Sequence, residues 1–543
     1  MNNKETRYAS EYHEETKHSE LGLQLSRHYM DWDDRPRPFK VYVDLPSIPL
    51  PQRFPIPTAE PLACIRDALP LKPESVIDID ALSELLFFSA GITREIKYDS
   101  GTYYMRAASA TGALYPIELY IICQDISGLD AGVYHFCPGD FSLIRLRSGD
   151  FRTKLAAMAG GNPNVLSAPV TVAFTSLAWR NAWKYRARSY RHWFWDSGVI
   201  AASLLAVANS AGLRTSLLMG FVDAEVNNLL CLEHRKEAVI VLAPIIGCSP
   251  RNAKNVDSKL GSEPIPLPTV ASPKFLPISK REVEYPEIWK LHEASSLLTG
   301  QEVREWASSE NSSNQGKHIK LESKDFHHED IQDRKPDQNT VGLADVILRR
   351  GSTRRFAHSP ISNDRLSSIL YSSTRGVPLD FLKEGESLID IYFIANSVEG
   401  LTPGHYFYNR QRDSLEQLNT RLERASRNES GYLCLGQPLF ADASVVFFIM
   451  TDLNEVLKIF GNRGYRACQF EAGLVAGKIY LSSYALGLGA SGSTFYDDVV
   501  TESFSPHAKE KATMIVVGVG LPAYKARPGK ILAARLTKAQ LFA

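Results

Sequence analysis

The sequence predicts an α+β protein made of two tandem copies of one domain, which pair within the chain as an intramolecular pseudo-dimer. The first observation is a repeat without gaps, because residues 190–216 align with residues 465–491 at a constant offset of 275. In both segments Tyr-Arg leads to an acidic residue, a glycine, an alanine-rich helical run and Gly-Leu. The second observation is that helical patterns alternate with apolar β-runs in both halves. A repeat this long indicates one structural unit present twice.

The two copies differ in a complementary way. Two further pairs of matching blocks, at offsets of 284 and 272, show that copy two is 12 residues shorter between them. The missing part corresponds to residues 106–116 of copy one. Conversely, residues 349–356 of copy two have no counterpart in copy one. Each copy therefore lacks a segment that the other retains.

Composition argues against several classes of function. The chain has 543 residues, 44% apolar and 22% charged, and its 61 basic residues balance its 61 acidic residues. A net charge of zero does not favour a nucleic acid as partner. The seven cysteines are scattered without C-x-x-C spacing, which argues against a disulfide framework or a thiolate zinc site and indicates a cytoplasmic protein. We expect no metal site.

No membrane association is expected. The first 20 residues are polar and contain no apolar core of a signal peptide. Residues 200–211 are apolar, but Ser203, Asn209 and Ser210 interrupt them, and the run is shorter than the roughly 20 residues that span a bilayer. We predict a buried helix there.

The chain divides into four predicted parts: an N-terminal arm (1–55), a first domain (56–255), a linker (256–340) and a second domain (341–543). The arm ends in a proline-rich run at 46–51, which disfavours a helix or a central strand, and we expect it to pack on the core. Residues 310–340 of the linker are polar and poor in large apolar side chains, so they predict a disordered stretch. The pair His327-His328 within it lacks further ligands at metal spacing and is interpreted as solvated.

A cluster of arginines and a hydroxyl opens copy two. Arg350, Ser352 and Arg354 form the pattern R-x-S-x-R-x-F with Phe356. Guanidinium groups and a hydroxyl at this spacing suit a phosphate with a polyol tail, although a solvated arginine surface is the alternative. The pattern resembles the opening motif of the nitroreductase family of flavoenzymes, in which it holds the phosphate and ribityl chain of FMN.

Two more segments of copy two are similar to motifs of the same family. Residues 487–492 resemble a Gly-Leu-Gly segment beside the flavin ring, and residues 518–522 resemble its C-terminal strand. The resemblance implies that the following residues contact FMN: Gly489, Ala490, Ser491, Gly492, Lys525 and Arg527. It also implies two FMN-type nitroreductase folds in tandem.

Copy one resembles a particular branch, the SagB/ThcOx-type dehydrogenases, which oxidise azolines to azoles in ribosomally made peptides. The resemblance is carried by residues 106–120, 132–136 and 183–185, and by an N-terminal arm similar to that of tandem members. The family's Pro-Ser-Ala-Gly loop reads here as Ser109, Ala110, Thr111 and Gly112. Ala110 replaces the serine that contacts flavin, so Ser109 or Thr111 is expected to substitute for it.

In this family FMN lies at a subunit interface, with the arginine loop from one subunit and the Pro-Ser-Ala-Gly loop from the other. Here copy two retains the first set and copy one the second. The resemblance therefore implies one composite FMN site per chain, formed between the copies.

Lys184 and Tyr185 are the candidate catalytic pair. In the azoline-oxidising relatives, a Lys-Tyr pair at this place helps to remove a proton as hydride leaves to the flavin. A lysine serves as base only if burial or a nearby cation lowers its pKa. The alternative is a surface lysine beside a packed tyrosine, because the surrounding segment is basic.

The resemblance thus implies an FMN-dependent dehydrogenase of a peptide or another small natural product that works with biosynthetic partner enzymes. It also allows a homodimer of tandem chains. Two alternatives stay open: an NAD(P)H-dependent reductase of nitro compounds or quinones, and a non-catalytic flavin-fold scaffold that binds a peptide.

Overall fold

Two seven-stranded antiparallel sheets with the same strand order form the framework, together with a separate hairpin. This computed structural model describes residues 2–67, 69–71, 75–98, 101–247, 273–308, 323–325 and 341–542. The common order shows that each half carries the same sheet. The predicted α+β fold with two tandem copies is confirmed.

The strands of copy one are β1 (Ser47–Pro49), β2 (Ile92–Tyr98), β3 (Gly101–Arg106), β4 (Ile117–Cys123), β5 (Gly132–Cys137), β6 (Ser142–Ser148), β7 (Val170–Leu177), β8 (Arg214–Thr215) and β9 (Glu237–Ile246). Their sheet runs β1-β6-β5-β4-β7-β9-β8, and β2 pairs with β3 as the hairpin. The proline-rich run of the arm supplies β1 at the sheet edge, where proline is tolerated.

The strands of copy two are β10 (Ser323–Asp325), β11 (Asp390–Ala395), β12 (Gly404–Asn409), β13 (Ser414–Gln417), β14 (Val445–Thr451), β15 (Gly489–Ser493) and β16 (Ala512–Gly520). Their order is β10-β13-β12-β11-β14-β16-β15. Every residue of the central strands β4, β7 and β14 is buried.

Nineteen α-helices surround the sheets in the described residues. They are α1 (Arg7–Glu15), α2 (Glu20–Leu25), α3 (Pro61–Arg66), α4 (Ile79–Ala90), α5 (Arg152–Met158), α6 (Pro163–Ser167), α7 (Ala178–Tyr185), α8 (Ser189–Ala211), α9 (Asp223–Leu229), α10 (Pro286–Ala294), α11 (Gly300–Ala307), α12 (Leu343–Arg349), α13 (Asn363–Thr374), α14 (Glu423–Leu433), α15 (Pro438–Asp442), α16 (Leu453–Phe460), α17 (Asn462–Ala485), α18 (Asp497–Ser503) and α19 (Lys538–Phe542).

The two repeat segments form the long central helices α8 and α17, which pack directly on each other. A Cβ atom added to Gly473 would lie 2.6 Å from Trp195 Cα, and one added to Gly198 would lie 2.6 Å from the carbonyl carbon of Gly473. The two glycines occupy equivalent repeat positions, so the pseudo-two-fold axis passes through this crossing. Only residues without a side chain allow the backbones to approach so closely.

Two buried ion clusters join the copies reciprocally. In each, two arginines near the start of one long helix bind an aspartate of the other copy. Arg463 and Arg466 each lie 2.6 Å from Asp223. Burial alone would raise the pKa of Asp223, but the two guanidinium groups outweigh it and lower the pKa to about 2. The equivalent cluster pairs Arg188 (3.0 Å) and Arg191 (2.8 Å) with Asp497.

The chain termini cross between the copies. The N-terminal arm packs on copy two, where the Asn462 amide donates to the Asn3 carbonyl at 2.7 Å and Asn462 Oδ1 accepts from the Ala9 amide. The C-terminal segment runs along copy one, where the Lys530 amide donates to the Thr93 carbonyl at 2.8 Å. The expected ordered arm is observed, and the C-terminal exchange complements it.

The described part of the predicted linker is more structured than a simple connection. Helices α10 and α11 lie within it and bury Trp289 and Trp306. Ser323–Asp325 form edge strand β10, so the prediction of disorder is wrong for these three residues. The remainder of 310–340, including His327-His328, lies outside the described residues.

The helical stretch Ala178–Ala211 is long and apolar enough to cross a membrane by length and composition, but 94% of its most apolar window is buried within the protein. A helix that is apolar on all sides suits such a core position. The buried helix predicted at residues 200–211 is confirmed.

We predict that Gly473→Ala destabilises the protein by about 1–3 kcal/mol or more, because the added methyl group overpacks the helix crossing. Chemical unfolding would measure the difference. Gly300→Ala is the matched control, since its Cβ would meet no atom closer than 3.3 Å. If both variants unfold like the wild type, the crossing is not tightly constrained.

Candidate active site

A cavity of about 1430 Å³ lies between the two copies. Copy one contributes the β2–β3 hairpin, the loop after β3, and residues of α7 and α8. Copy two contributes the loop at 350–354, one face of α17, strand β15 and the segment 524–535. The volume exceeds the roughly 300–1,000 Å³ of a typical single-ligand pocket. It can therefore hold a cofactor and a substrate together.

The loop after β3 is held by a buried carboxylate on α8. Asp196 Oδ1 accepts hydrogen bonds from the Thr111 amide at 2.9 Å and the Thr111 hydroxyl at 2.8 Å. Glu471, the equivalent residue of α17, accepts from the Ser387 hydroxyl and the Leu388 amide in the shorter loop of copy two. The acidic residue of the repeat is thus a loop anchor in both copies.

All four predicted loop residues, Ser109, Ala110, Thr111 and Gly112, line the cavity. The Thr111 hydroxyl donates to Asp196, which leaves only its lone pairs for a ligand. Gly112 has φ of 63°, and a Cβ there would lie 2.6 Å from the Tyr185 hydroxyl oxygen. Glycine is therefore required beneath Tyr185.

The three predicted residues of the arginine loop also reach the cavity, with different environments. Arg350 is buried, and its guanidinium donates to the carbonyls of Ala107 at 2.7 Å and Arg106 at 2.8 Å. It therefore fastens copy two to the loop of copy one. Ser352 is half-buried near Tyr480, and Arg354 is exposed at the cavity wall. Arg355 is not among the lining residues.

The predicted glycine segment divides into two pairs. Ser491 and Gly492 line the cavity, whereas Gly489 and Ala490 do not. The Ala490 carbonyl accepts from the Thr353 amide at 2.9 Å, and a Cβ on Gly489 would collide with the Thr353 hydroxyl. The second pair therefore supports the arginine loop from behind instead of facing the cavity.

The cavity wall is strongly basic. Lys525 and Arg527, which the resemblance implies as FMN contacts, are exposed and line it. In total eight lysines and arginines line the cavity against two acidic residues, Glu95 and Asp196. This excess of positive charge suits an anionic ligand such as a phosphate.

Lys184 and Tyr185 end helix α7 at the cavity wall of copy one. Burial, and then the charge of Arg354 across the cavity, lower the pKa of Lys184. Burial, and then Asp196, raise the pKa of Tyr185, so its phenol stays protonated. Lys184 Nζ lies 5.2 Å from the Tyr185 ring centroid. The structure brings the pair to the same cavity as the residues of copy two.

A strained backbone follows this pair. Arg186 has φ of 52° and ψ of −142°, a conformation essentially restricted to glycine. At the equivalent place after α16, Gly461 has φ of 67° and ψ of −159°. Both copies thus end this helix with the same backbone conformation. In copy two a glycine adopts it without strain, whereas in copy one the non-glycine residue directly after Tyr185 is strained.

The mirrored position in copy two is filled. Lys184 and Tyr185 correspond to Ile459 and Phe460, and the Phe460 ring packs against Trp306 and Phe381. The adjacent Asp380 accepts hydrogen bonds from the amides of Met219 and Gly220 at 2.9 Å each. The shorter loop of copy two therefore closes directly on the segment that follows β8. At the equivalent place, the longer loop of copy one lines the open cavity.

Sequence reasoning missed several lining residues. The hairpin contributes Arg94, Ile96 and Met105, and its strands carry no motif that marks them as site residues. Asp196 could have been found, because the acidic position of the repeat identifies it. His18 of the arm and His192 of α8 also line the cavity.

Residues 68–247 and 347–521 each match the nitroreductase family, and together these matches cover well over half of the chain. The chain belongs to the nitroreductase family. A crystal structure from Anabaena variabilis, described as a nitroreductase, superposes with a TM-score of 0.70 and 25% sequence identity, over 95% of this chain and 99% of its own. The predicted tandem nitroreductase fold is confirmed.

Three curated relatives are similar to parts of this chain. A Methanocaldococcus jannaschii protein named as a nitroreductase is 30% identical over 173 residues, covering 31% of this chain and 86% of its own. The trifolitoxin-processing protein TfxB of Rhizobium leguminosarum is 31% identical, covering 35% of this chain and 52% of its own. The microcin B17-processing protein McbC of Escherichia coli is 26% identical, covering 24% of this chain and 50% of its own. The chain spans about half the length of these two processing proteins. Their similarity supports the predicted SagB/ThcOx-type branch.

We predict that Asp196→Asn stabilises the protein at alkaline pH. Burial, opposed only by hydrogen bonds from Thr111 and Asn181, raises the pKa of Asp196 to about 7. A carboxyl group with a raised pKa stabilises the folded state below the pKa that it has in the unfolded chain. This stability is lost as the pH rises through about 7, where the buried carboxyl ionises. Asparagine keeps an acceptor for Thr111 without the charge. The melting temperature of the variant should therefore exceed that of the wild type at about pH 8.5, with the difference shrinking toward about pH 5.

The exposed Asp44→Asn is the control for this experiment. A difference between Asp196→Asn and the wild type that does not change with pH would show that Asp196 does not ionise in this range.

Proposed function

We propose that this protein is an FMN-dependent dehydrogenase that oxidises a peptide natural-product intermediate, from azoline to azole or by a similar desaturation. The observation that carries the proposal is the broken symmetry of the pseudo-dimer. One of two equivalent positions is an open cavity with Lys184 and Tyr185, and the other is filled around Phe460. A polar pair is present only where a ligand can bind.

The lining residues fit FMN. The exposed Arg354, Lys525 and Arg527 offer charged donors for a phosphate. Ser352 and Ser491 place hydroxyls in the same wall for a polyol chain. The loop opposite presents small side chains and Gly112, which leaves room for a flat ring. When bound, FMN supplies the acceptor for a hydride from the substrate.

The protein supplies the proton acceptor. Converting an azoline to an azole removes two protons and two electrons from the substrate: one proton leaves with both electrons as a hydride, and the other must be taken up by a base. Lys184 suits this role, because its lowered pKa raises the fraction of neutral amine near neutral pH. Tyr185 keeps its proton and can donate a hydrogen bond to the substrate.

A peptide substrate is supported by the two relatives named for processing trifolitoxin and microcin B17. The chemistry implies a partner enzyme that forms the azoline by cyclodehydration before this protein acts. Pairing of two tandem chains and a cytoplasmic location remain part of the proposal.

A second candidate, an NAD(P)H-dependent nitro or quinone reductase, is favoured by the Methanocaldococcus jannaschii relative. It requires neither Lys184 nor Tyr185 as a proton acceptor. Fast NAD(P)H oxidation with menadione that is unaffected by substitution of both residues would favour it.

We predict one FMN for each chain, because the mirrored position is filled. Flavin released by denaturation and measured against protein should approach a 1:1 ratio, and a reproducible 2:1 ratio would refute the composite site.

Arg354→Ala should weaken FMN binding roughly ten- to a hundredfold, as expected for a charge-assisted contact of about 1.5–3 kcal/mol. Arg355→Ala is the matched control, since Arg355 does not line the cavity.

We predict that Lys184→Ile and Tyr185→Phe, which copy the residues of copy two, retain FMN and fold normally. Lys184→Ile should lower kcat for a thiazoline peptide roughly 10²- to 10⁴-fold, the range for a positioned general base. Reduction of the bound flavin by dithionite should be unchanged. Lys154→Ala, at a half-buried residue that does not line the cavity, is the control. Turnover by Lys184→Ile at the wild-type rate would remove the catalytic basis of the proposal.

A further inference from the structure

His192 is a cavity residue for which neither the fold nor the proposed proton transfer accounts. It lies on α8, one turn before Asp196, and is only 2% exposed. Its ring borders the cavity and meets the Tyr185 ring edge-on, with centroids 4.6 Å apart. It is therefore placed where a substrate next to Tyr185 would lie.

The ring of His192 lacks hydrogen bonds that comparable residues have. Five histidines are buried in the described residues. Four of them bond to a side chain: His13 to Tyr465, His135 to Glu118, His292 to Tyr190 and His405 to Glu429. His192 has no such bond in the described part of the chain; its Nδ1 is shielded and unpaired, as is that of His135, which leaves Nε2 as the nitrogen that a ligand can reach. A nitrogen without a protein partner that a ligand can reach from the cavity is a candidate binding atom.

The second copy shows that the fold does not require this histidine. The equivalent position on α17 is Ala467, which is fully buried at the filled site. Tyr185 corresponds to Phe460 in the same comparison. Two polar rings thus face the cavity in copy one, and apolar residues replace both where no cavity exists.

The charge state of His192 favours hydrogen bonding over proton uptake. Burial, and then Arg188, lower the pKa of His192 well below its usual value. The ring is therefore neutral and carries one donor and one acceptor nitrogen. Depending on the tautomer, Nε2 donates to a carbonyl or accepts from an N–H, and a peptide amide offers both groups.

We propose that His192 binds the substrate by a hydrogen bond to a backbone amide that flanks the ring to be oxidised. This inference rests on the proposed function and names the part of the substrate that the cavity recognises. Lys184 and Tyr185 then act on the ring, while His192 selects a ring that lies within a peptide.

The test uses the full-length, FMN-loaded protein and two synthetic probes. One is an N-acetylated tripeptide with a central thiazoline, and the other is 2-methylthiazoline, which lacks flanking amides. Isothermal titration calorimetry measures binding independently of oxidation. His192→Ala, which copies Ala467, should weaken tripeptide binding roughly 3- to 10-fold, as expected for a neutral hydrogen bond. Binding of 2-methylthiazoline should not change.

Two further variants separate binding from structure. His192→Gln keeps a donor and an acceptor and should recover part of the tripeptide affinity. The exposed His234→Ala should bind like the wild type. In turnover with the tripeptide, His192→Ala should raise KM by the same factor and leave kcat nearly unchanged. Flavin content should be equal in all variants.

Equal tripeptide affinity in the wild type and His192→Ala, or no binding of the tripeptide to the wild type, would overturn the role of His192. A loss of kcat at constant KM would also overturn it, because it would place His192 in proton transfer. If the wild type binds the tripeptide through His192 but oxidises neither probe, the proposed function fails and the binding role stands. If His192→Ala does not fold, tripeptide binding and turnover are compared between His192→Gln and the wild type instead, and equal affinities would again overturn the role of His192.

Discussion

The close approach of α8 and α17 at Gly198 and Gly473 is the constraint on which the rest of the structure depends. Backbone-to-backbone contact at the pseudo-two-fold axis fixes the distance between the copies and their relative rotation. Each long helix then presents its first turns to the other copy, where the arginines reach Asp223 and Asp497. Because removing one partner of a buried ion cluster costs about 3–5 kcal/mol, these clusters hold the copies in a single arrangement.

The same contact would create two equivalent sites, but the structure contains one open cavity at these two positions. The difference comes from the loops anchored by Asp196 and Glu471. The longer loop of copy one and β15 both line the open cavity, while the shorter loop of copy two places Asp380 on the amides of Met219 and Gly220. A gene duplication with loss of one loop is sufficient to explain this asymmetry.

Much of this arrangement could be predicted from the sequence. The repeat predicts two copies, because residues that build a helix crossing must be kept in both. The arginine loop and the Lys184-Tyr185 pair could be placed in one site, because each motif survives in a different copy. Gly489 and Ala490 belong to the right segment, but they contact Thr353 behind the arginine loop instead of the cavity, and this contact depends on how two distant segments pack.

Other parts could not be predicted, since they depend on contacts between distant segments. The β2–β3 hairpin closes the cavity by tertiary packing, and nothing in its strand pattern shows what lies beneath it. The filling of the mirrored position involves Trp306 of α11 and Phe381, which meet Phe460 only after the chain has folded. The helices of the linker are similarly determined by what they cover.

The strain at Arg186 connects the duplication to the chemistry of the site. The turn between α7 and α8 has the same backbone as the turn between α16 and α17, where Gly461 adopts it without steric cost. A non-glycine residue there costs about 1–3 kcal/mol, which the surrounding structure must offset. This turn also sets the direction of Tyr185, whose hydroxyl lies directly above Gly112. The duplicated framework thus holds the tyrosine over the loop of the cavity, and glycine at 112 leaves the space that this position needs.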